Sequence, residues 1–314
     1  MYKLILLILL LFPVLFSSPL TGTEPSHPFV MAWGTEGSEP GQFKNPIGIA
    51  MAGDEIFISD AGNNRIQVFS LQGRFIRIFG RQGSGRGELD RPMHMDIADD
   101  KLYVAEYLND RIQVFSLAGK SLQLIGSSGS GPGQFDAPAG VAVDDKGQLY
   151  VADFYNQRVQ LLTGDGSFLR QYGQTGAVGI RAGQLNYPTD VDLLPDNSLV
   201  VADAYNDRIQ LFSADGKFLK KWGGLLAMNI SGTRPGWFKT ATGVAVGHDS
   251  HIFVADFYNN RIQEFTSSGK FISLISEKND NPNPIRLPTD MVLDDRGNIY
   301  VVDFGNNRIL KFSP

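Results

Sequence analysis

No cysteine occurs among the 314 residues. Disulfides, thiolate metal sites, cysteine nucleophiles and a lipid-modified cysteine are thereby excluded. The same absence suits an exported chain that avoids adventitious oxidation. Histidine is scarce at four residues, and acids outnumber bases to leave a formal net charge of −5. A chain of that balance lacks the basic surface on which phosphate backbones dock, so nucleic acid is not an expected partner. No Gly-x-Ser-x-Gly elbow, phosphate-binding loop or His-Glu-x-x-His pair is present, which removes familiar hydrolase and nucleotide signatures. After residue 28, no segment sustains apolar residues at spacings of three and four, so helix is nearly absent from the expected fold.

One apolar run stands out. Met1-Tyr-Lys3 places a single positive charge before Leu4 to Phe16, thirteen residues free of charge. That length is short for a membrane span and fits a secretory signal. Residues 1–18 are therefore expected to be a signal peptide or an N-terminal anchor. Ser17-Ser18 is followed by Pro19, a poor start for a mature chain, so removal and retention both stay open. Residues 19–28, rich in Pro, Ser and Thr, are expected to form a flexible spacer. The expected location is exported: periplasmic, extracellular, or anchored at the outer side of a membrane touched only through that anchor.

What the chain has in abundance is repetition. Six times it writes an acid, a turn with Asn, and an Arg: Asp60 to Arg65, Glu106 to Arg111, Asp153 to Arg158, Asp203 to Arg208, Asp256 to Arg261 and Asp303 to Arg308. The acids lie 46, 47, 50, 53 and 47 residues apart, a period that marks one repeat architecture. Each unit reads as four short runs of Val, Leu, Ile, Tyr and Phe between Gly, Asp and Asn turns, a four-stranded antiparallel meander. A lone sheet of that kind has two apolar faces, and packing the units face to face around an axis buries both. The sixth copy stops after its third strand, at Leu310-Lys-Phe-Ser-Pro314, while Phe29-Val-Met-Ala-Trp-Gly34 matches the outer strand of the other copies. Residues 29–34 are expected to pair with residues 308–312 and close the ring, removing an exposed edge.

The unit Pro-x-Gly-Val-Ala-Val-Asp, then Leu-Tyr-Val-Ala-Asp-x-x-Asn-x-Arg-Ile-Gln-Val-Phe and Gly, resembles the NHL repeat. The resemblance covers residues 29–314 and implies an all-β six-bladed propeller of four-stranded antiparallel blades. It leaves function open, because the family includes RNA- and protein-binding modules, sensor domains and a metal-dependent amidating lyase.

In a meander of this kind the blade-to-blade crossovers share one face with the acid–Asn–Arg turns, and tight Gly turns occupy the other. The crossovers from Gly173 to Pro188 and from Gly223 to Thr242 are longer than the rest, which points to their face as the recognition surface. Acid and Arg flank the same turn in every copy and are expected to pair structurally across its base. The aromatics inside the turns are less uniform: Tyr107, Phe154, Tyr155, Tyr205, Phe257, Tyr258 and Phe304. They form either a ring at the channel mouth able to hold a peptide, sugar or apolar ligand, or packing for the neighbouring crossover. Gly83-Ser-Gly-Arg-Gly87 and Gly129-Ser-Gly-Pro-Gly133 precede strands and are read as crossover turns, not nucleotide loops.

Departures from the repeat's own rule are the other signal. Where the innermost strand carries Gly48, Gly140 and Gly243 in copies one, three and five, the even copies carry His94, Asp190 and Asp290. Two positions on, Ala50, Ala142 and Ala245 give way to Asp96, Asp192 and Val292. Period-two spacing puts His94 with Asp96, and Asp190 with Asp192, on one side of their strands near the axis. Imidazole and carboxylates without sulfur suit Ca²⁺, Mn²⁺ or Zn²⁺, or a His–carboxylate pair for proton transfer. The bland alternative is a polar channel lining. The amidating lyase's repeats use His-Gln-Val where this chain has Arg-Ile-Gln. His27 falls in the spacer and His248 and His251 at an opposite-face turn, so one axial histidine is left, too few for that lyase's zinc site.

The resulting expectation is a monomeric, exported, non-catalytic binding or scaffold propeller. Its ligand is a protein segment or an envelope-associated molecule on the crossover face. The alternative is a metal-dependent lyase or hydrolase centred on His94, Asp190 and Asp290, and a purely structural envelope protein is a third class.

Overall fold

Alternating apolar residues set the blades. In the third, Pro138–Val143, Leu149–Asp153, Arg158–Leu162 and Phe168–Gly173 pair antiparallel in chain order. The computed structural model describes residues 27–276 and 284–314. Six such four-stranded sheets make up the molecule, with innermost strands Pro46–Ala52, Pro92–Ala98, Pro138–Val143, Pro188–Leu193, Ala241–Val246 and Pro288–Leu293. The two middle strands of a blade are buried on both faces, as in Leu149–Asp153 and Arg158–Leu162, whereas the outer Phe75–Phe79 alternates half-buried and exposed. Among the described residues no helix is long and apolar enough to cross a membrane.

The core is six wedges between neighbouring blades. Tyr150, Val159, Leu161 and Tyr172 of blade 3, for example, pack on Val191, Leu199, Val201 and Phe212 of blade 4. Closure follows the same rule. Phe29–Trp33 joins the last sheet, with Phe29 opposite Phe312 and Trp33 opposite Ile309. Tyr300, Val302 and Ile309 of that blade then share a wedge with Ile49, Ile56 and Phe69 of blade 1. The ring is shut as the sequence leads one to expect.

Each acid–Asn–Arg turn ends on a residue in the left-handed conformation: Asn64, Asp110, Gln157, Asp207, Asn260 and Asn307. Short polar side chains tolerate that region best. Their side chains also reach onward. The residue just before each innermost strand is left-handed too, in all six blades, at Asn45, Arg91, Ala137, Tyr187, Thr240 and Leu287. A non-glycine residue there costs about 1–2 kcal/mol. In every case its N–H donates to the side chain of the previous blade's turn, as from Asn45 to Asn307 Oδ1 at 2.8 Å and Tyr187 to Gln157 Oε1 at 2.6 Å. The hydrogen bond holds the strained residue and stitches blade to blade.

Near the axis the blades interlock differently. A Cβ on Gly48, Gly140 or Gly243 would stand 2.7, 2.7 and 3.0 Å from the Cα of His94, Asp190 and Asp290 in the following blade. Glycine is required at these places by close backbone approach. Gly140→Ala is expected to destabilise the propeller by about 1–3 kcal/mol, read as a lower guanidinium midpoint at unchanged slope.

Candidate functional site

The six repeated turns are closed structural units. Arg Nε donates to the acid at 2.6–2.8 Å in every blade, and all six acids are fully buried. In blade 3 the second oxygen of Asp153 accepts the Asp136 N–H at 2.8 Å, and Arg158 donates onward to the carbonyls of Gly131 and Gln134 at 2.9 Å each. Gln160 joins the same carboxylate. Burial pushes the carboxyls of Asp153, Asp203, Asp256 and Asp303 up, and the pairing with Arg and Asn works against it. Through these bonds Asp60, Arg65, Glu106, Arg111 and their counterparts anchor the crossovers.

On the crossover face the turn aromatics fall into two groups. Tyr107, Phe154, Tyr155 and Tyr205 form one platform through Tyr187, whose ring centroid is 4.8 Å from both Phe154 and Tyr205. Phe257 packs on Tyr258 at 4.9 Å and on Phe304 at 6.0 Å. No aromatic pair joins the two groups among the described residues, so the expected ring is an arc and a patch. Blade 1 offers Ala61-Gly62 at this position and interrupts the circle. Tyr187 was missed because it sits outside the turn, in the crossover. Its signal was present, since it places an aromatic where the other blades carry Asn45, Arg91, Ala137, Thr240 and Leu287. Tyr155 is 48% and Tyr205 55% exposed. The long crossovers add Val178, Ile180, Leu225, Leu226 and Met228, all exposed. Arg91 lies over Tyr107 with its guanidinium 5.2 Å from the ring centroid.

The axial departures are also brought together, though not all five. His94 Nδ1 lies 3.2 Å from Asp290 Oδ2 and 3.5 Å from Asp190 Oδ2, and all three side chains are buried. Ligand atoms of these three fall within 4.8 Å of one another. Asp96 and Asp192 lie further along the axis and stand outside that cluster. Each axial carboxylate reaches the unpaired edge of the next blade's innermost strand: Asp96 to Val143 N at 2.7 Å, Asp190 to Val244 N at 2.9 Å, Asp192 to Val246 N at 2.6 Å, and Asp290 to Ile49 N at 2.9 Å. The alternation therefore has a structural cause. Odd blades offer glycine for close approach, and even blades return a carboxylate that satisfies an otherwise orphaned N–H.

Electrostatics follow from burial. Desolvation alone would drive His94 neutral, but the Asp190 and Asp290 charges overcome it and carry the imidazole up to about 9. Burial, with Asp290 beside it, raises Asp190 to about 7 against the pull of His94. Burial raises Asp96 to about 6 and holds Asp192 well above its ordinary value, with Asp96 adding to the latter. Asp96, Asp190, Asp192 and Asp290, but not His94, border a cavity of about 180 Å³ whose lining includes Met51, Val246, Leu293 and His248. His248 belongs to the tight-turn face, so the cavity runs from the His94 cluster toward the side opposite the aromatic platform.

A family model for the NHL repeat matches residues 43–69, 135–160, 185–212, 238–265 and 286–312. The segment around Glu106 and Arg111 is not among them. Solved structures share the fold. Virginiamycin B lyase from Staphylococcus aureus, a catalytically inactive variant with quinupristin, is 19% identical over 86% of this chain and 84% of that one, with a TM-score of 0.59. A gluconolactonase from Xanthomonas campestris is 16% identical over 87% and 86%, with a TM-score of 0.64. A protein of unknown function from Bacteroides thetaiotaomicron is 16% identical over 90% and 74%, with a TM-score of 0.68. No curated protein sequence matches the chain.

The His94 charge has a stability consequence. Its pKa is raised from 6.5 to about 9 on folding, so its contribution is complete below 6.5 and is lost as pH rises through 9. The Asp190 contribution, its pKa raised from 3.8 to about 7, is complete below 3.8 and is already lost as pH rises through about 7. The melting temperature is expected to fall between pH 7 and about 9 in the native chain, and His94→Gln is expected to flatten that slope.

Proposed function

The chain belongs to the NHL-repeat six-bladed propellers, and from that premise we propose that it is a monomeric, exported, non-catalytic module that captures a protein segment on its crossover face. The observation that carries this reading is the continuous platform of Tyr107, Phe154, Tyr155, Tyr187 and Tyr205. Aromatic rings offer large contact area at low entropic cost, and they are enriched among residues that dominate binding energy. The two long crossovers also leave apolar side chains exposed, and large exposed apolar patches mark interaction sites. The platform is built on turns that buried ion pairs hold rigid, so little ordering is lost on binding. The uncharged run from Leu4 to Phe16 after Lys3 supports export.

A second reading, a metal-dependent lyase or hydrolase, is favoured by one observation: the donor atoms of His94, Asp190 and Asp290 lie within 4.8 Å of one another. The likeness to a lyase and a lactonase adds the fold alone. Imidazole with two carboxylates suits Ca²⁺ or Zn²⁺. Against it, Asp190 and Asp290 already accept backbone N–H groups of the next blade, so recruiting them to an ion would loosen two blade junctions.

Two measurements separate the readings. Peptides selected from a display library on the native chain are expected to bind at least roughly tenfold more weakly to Tyr155→Ala/Tyr205→Ala, with melting unchanged. Unaltered binding would move recognition elsewhere. Stoichiometric metal lost on His94→Ala would instead favour the catalytic reading.

A further inference from the structure

Blade 5 breaks its own rule at a position far from the axis. Where the third strand of blades 1 to 4 buries Val68, Val114, Leu161 and Leu211, and blade 6 carries a half-buried Lys311, blade 5 carries Glu264, and that carboxylate is buried. A charge placed in an apolar wedge needs partners that repay its desolvation. Glu264 Oε1 lies 2.7 Å from His251 Nδ1, and Oε2 accepts from Ser273 Oγ at 2.5 Å. Asp249 Oδ2 stands 2.9 Å from the same His251 nitrogen. Ligand atoms of Asp249, His251 and Glu264 all fall within 4.8 Å of one another.

A second, independent observation comes from the N-terminal segment. His27, placed by sequence in the spacer, is 7% exposed and packs edge-on against Phe253 of blade 5. Its Nδ1 faces the Ser313 carbonyl at 3.3 Å. Its Nε2 is buried with no hydrogen-bond partner and points at Glu264 Oε2, 3.5 Å away. An imidazole held at one nitrogen, with the other aimed at a carboxylate of a ligand cluster, is the outer-shell arrangement of metal sites.

We propose that Asp249, His251 and Glu264 form a zinc site on the tight-turn face, with His27 as a positioning residue behind Glu264. Mixed imidazole and carboxylate donors suit zinc better than calcium, which takes six to eight oxygens. Zinc bonds of 2.0–2.2 Å in a tetrahedron set donors about 3.3 Å apart, so the carboxylate oxygens now 2.9 and 2.7 Å from His251 Nδ1 need to move outward by only about half an ångström. His251 and Asp249 are partly open to solvent, which gives an ion access and leaves room for water as the fourth ligand. The site lies where the ring closes: His27 precedes the closing strand, and Glu264 and His251 belong to the adjoining blade. Zinc there locks the closing segment onto blade 5. This reading is independent of the aromatic platform and of the His94 cluster.

The test is zinc titration of the chelator-stripped full chain by calorimetry, together with metal content and thermal melting. One zinc equivalent is expected, with a rise in melting temperature. It should be retained in His94→Ala and lost in both His251→Ala and Asp249→Ala, two solvent-accessible turn positions at which folding is preserved. His27→Ala is expected to weaken zinc binding roughly 10–100-fold, and His27→Gln, which keeps a donor toward Glu264, to restore most of it. No zinc uptake by the native chain, or uptake unchanged in His251→Ala and Asp249→Ala, overturns the proposal.

Discussion

Six buried carboxylates carry the crossovers of this propeller. Each takes one Arg, one Asn and one backbone N–H of the incoming crossover, and five of them also take a Gln. Breaking such a pair strands a charge in a desolvated site, which costs about 3–5 kcal/mol. The loops that carry the aromatic platform can therefore vary in length and sequence without losing their footing. Rigidity at the base is what permits variety at the tip.

A second set of acids works at the axis. Innermost strands have one edge without a neighbour in their own sheet, and Asp96, Asp190, Asp192 and Asp290 fill part of that gap with side-chain acceptors. The sixfold ring is thus built from three pairs of unlike blades, one contributing glycine and the other a carboxylate. Only in blade 2 does His94 take the place of an acid, and it supplies the positive charge that two buried carboxylates require.

Much of this was legible in the chain. The period, the alternation and the orphan strand Phe29-Val-Met-Ala-Trp dictated six blades and their closure, because burying two faces of every sheet leaves no other compact solution. The acid–Arg turns read as scaffold from their uniformity. Convergence of His94, Asp190 and Asp290 was legible from register, but their service to neighbouring strands was not, since an acceptor for an unpaired N–H is defined only once blades meet. Tyr187 escaped notice because a single sequence shows no contact between a crossover and a turn eighteen residues away. His27 was hidden for the same reason: a residue among Pro and Ser reads as linker until Ser313 and Glu264 are beside it. Glu264 was visible as a departure from Val and Leu, and its meaning depended on His251 and His27.

Closure by Phe29–Trp33 against Arg308–Phe312 also gives the molecule a mechanical polarity. The strands run antiparallel, so Phe29, where the closing strand begins, lies beside Phe312, where the last strand ends. Tension applied between them would load that ladder one hydrogen bond at a time, peeling it open instead of shearing all rungs at once. The wedge that Trp33 shares with Phe69 and Tyr300 lies at the far end of the zipper and would give way last. A ring packed through six buried wedges thus has one seam at which modest force opens it.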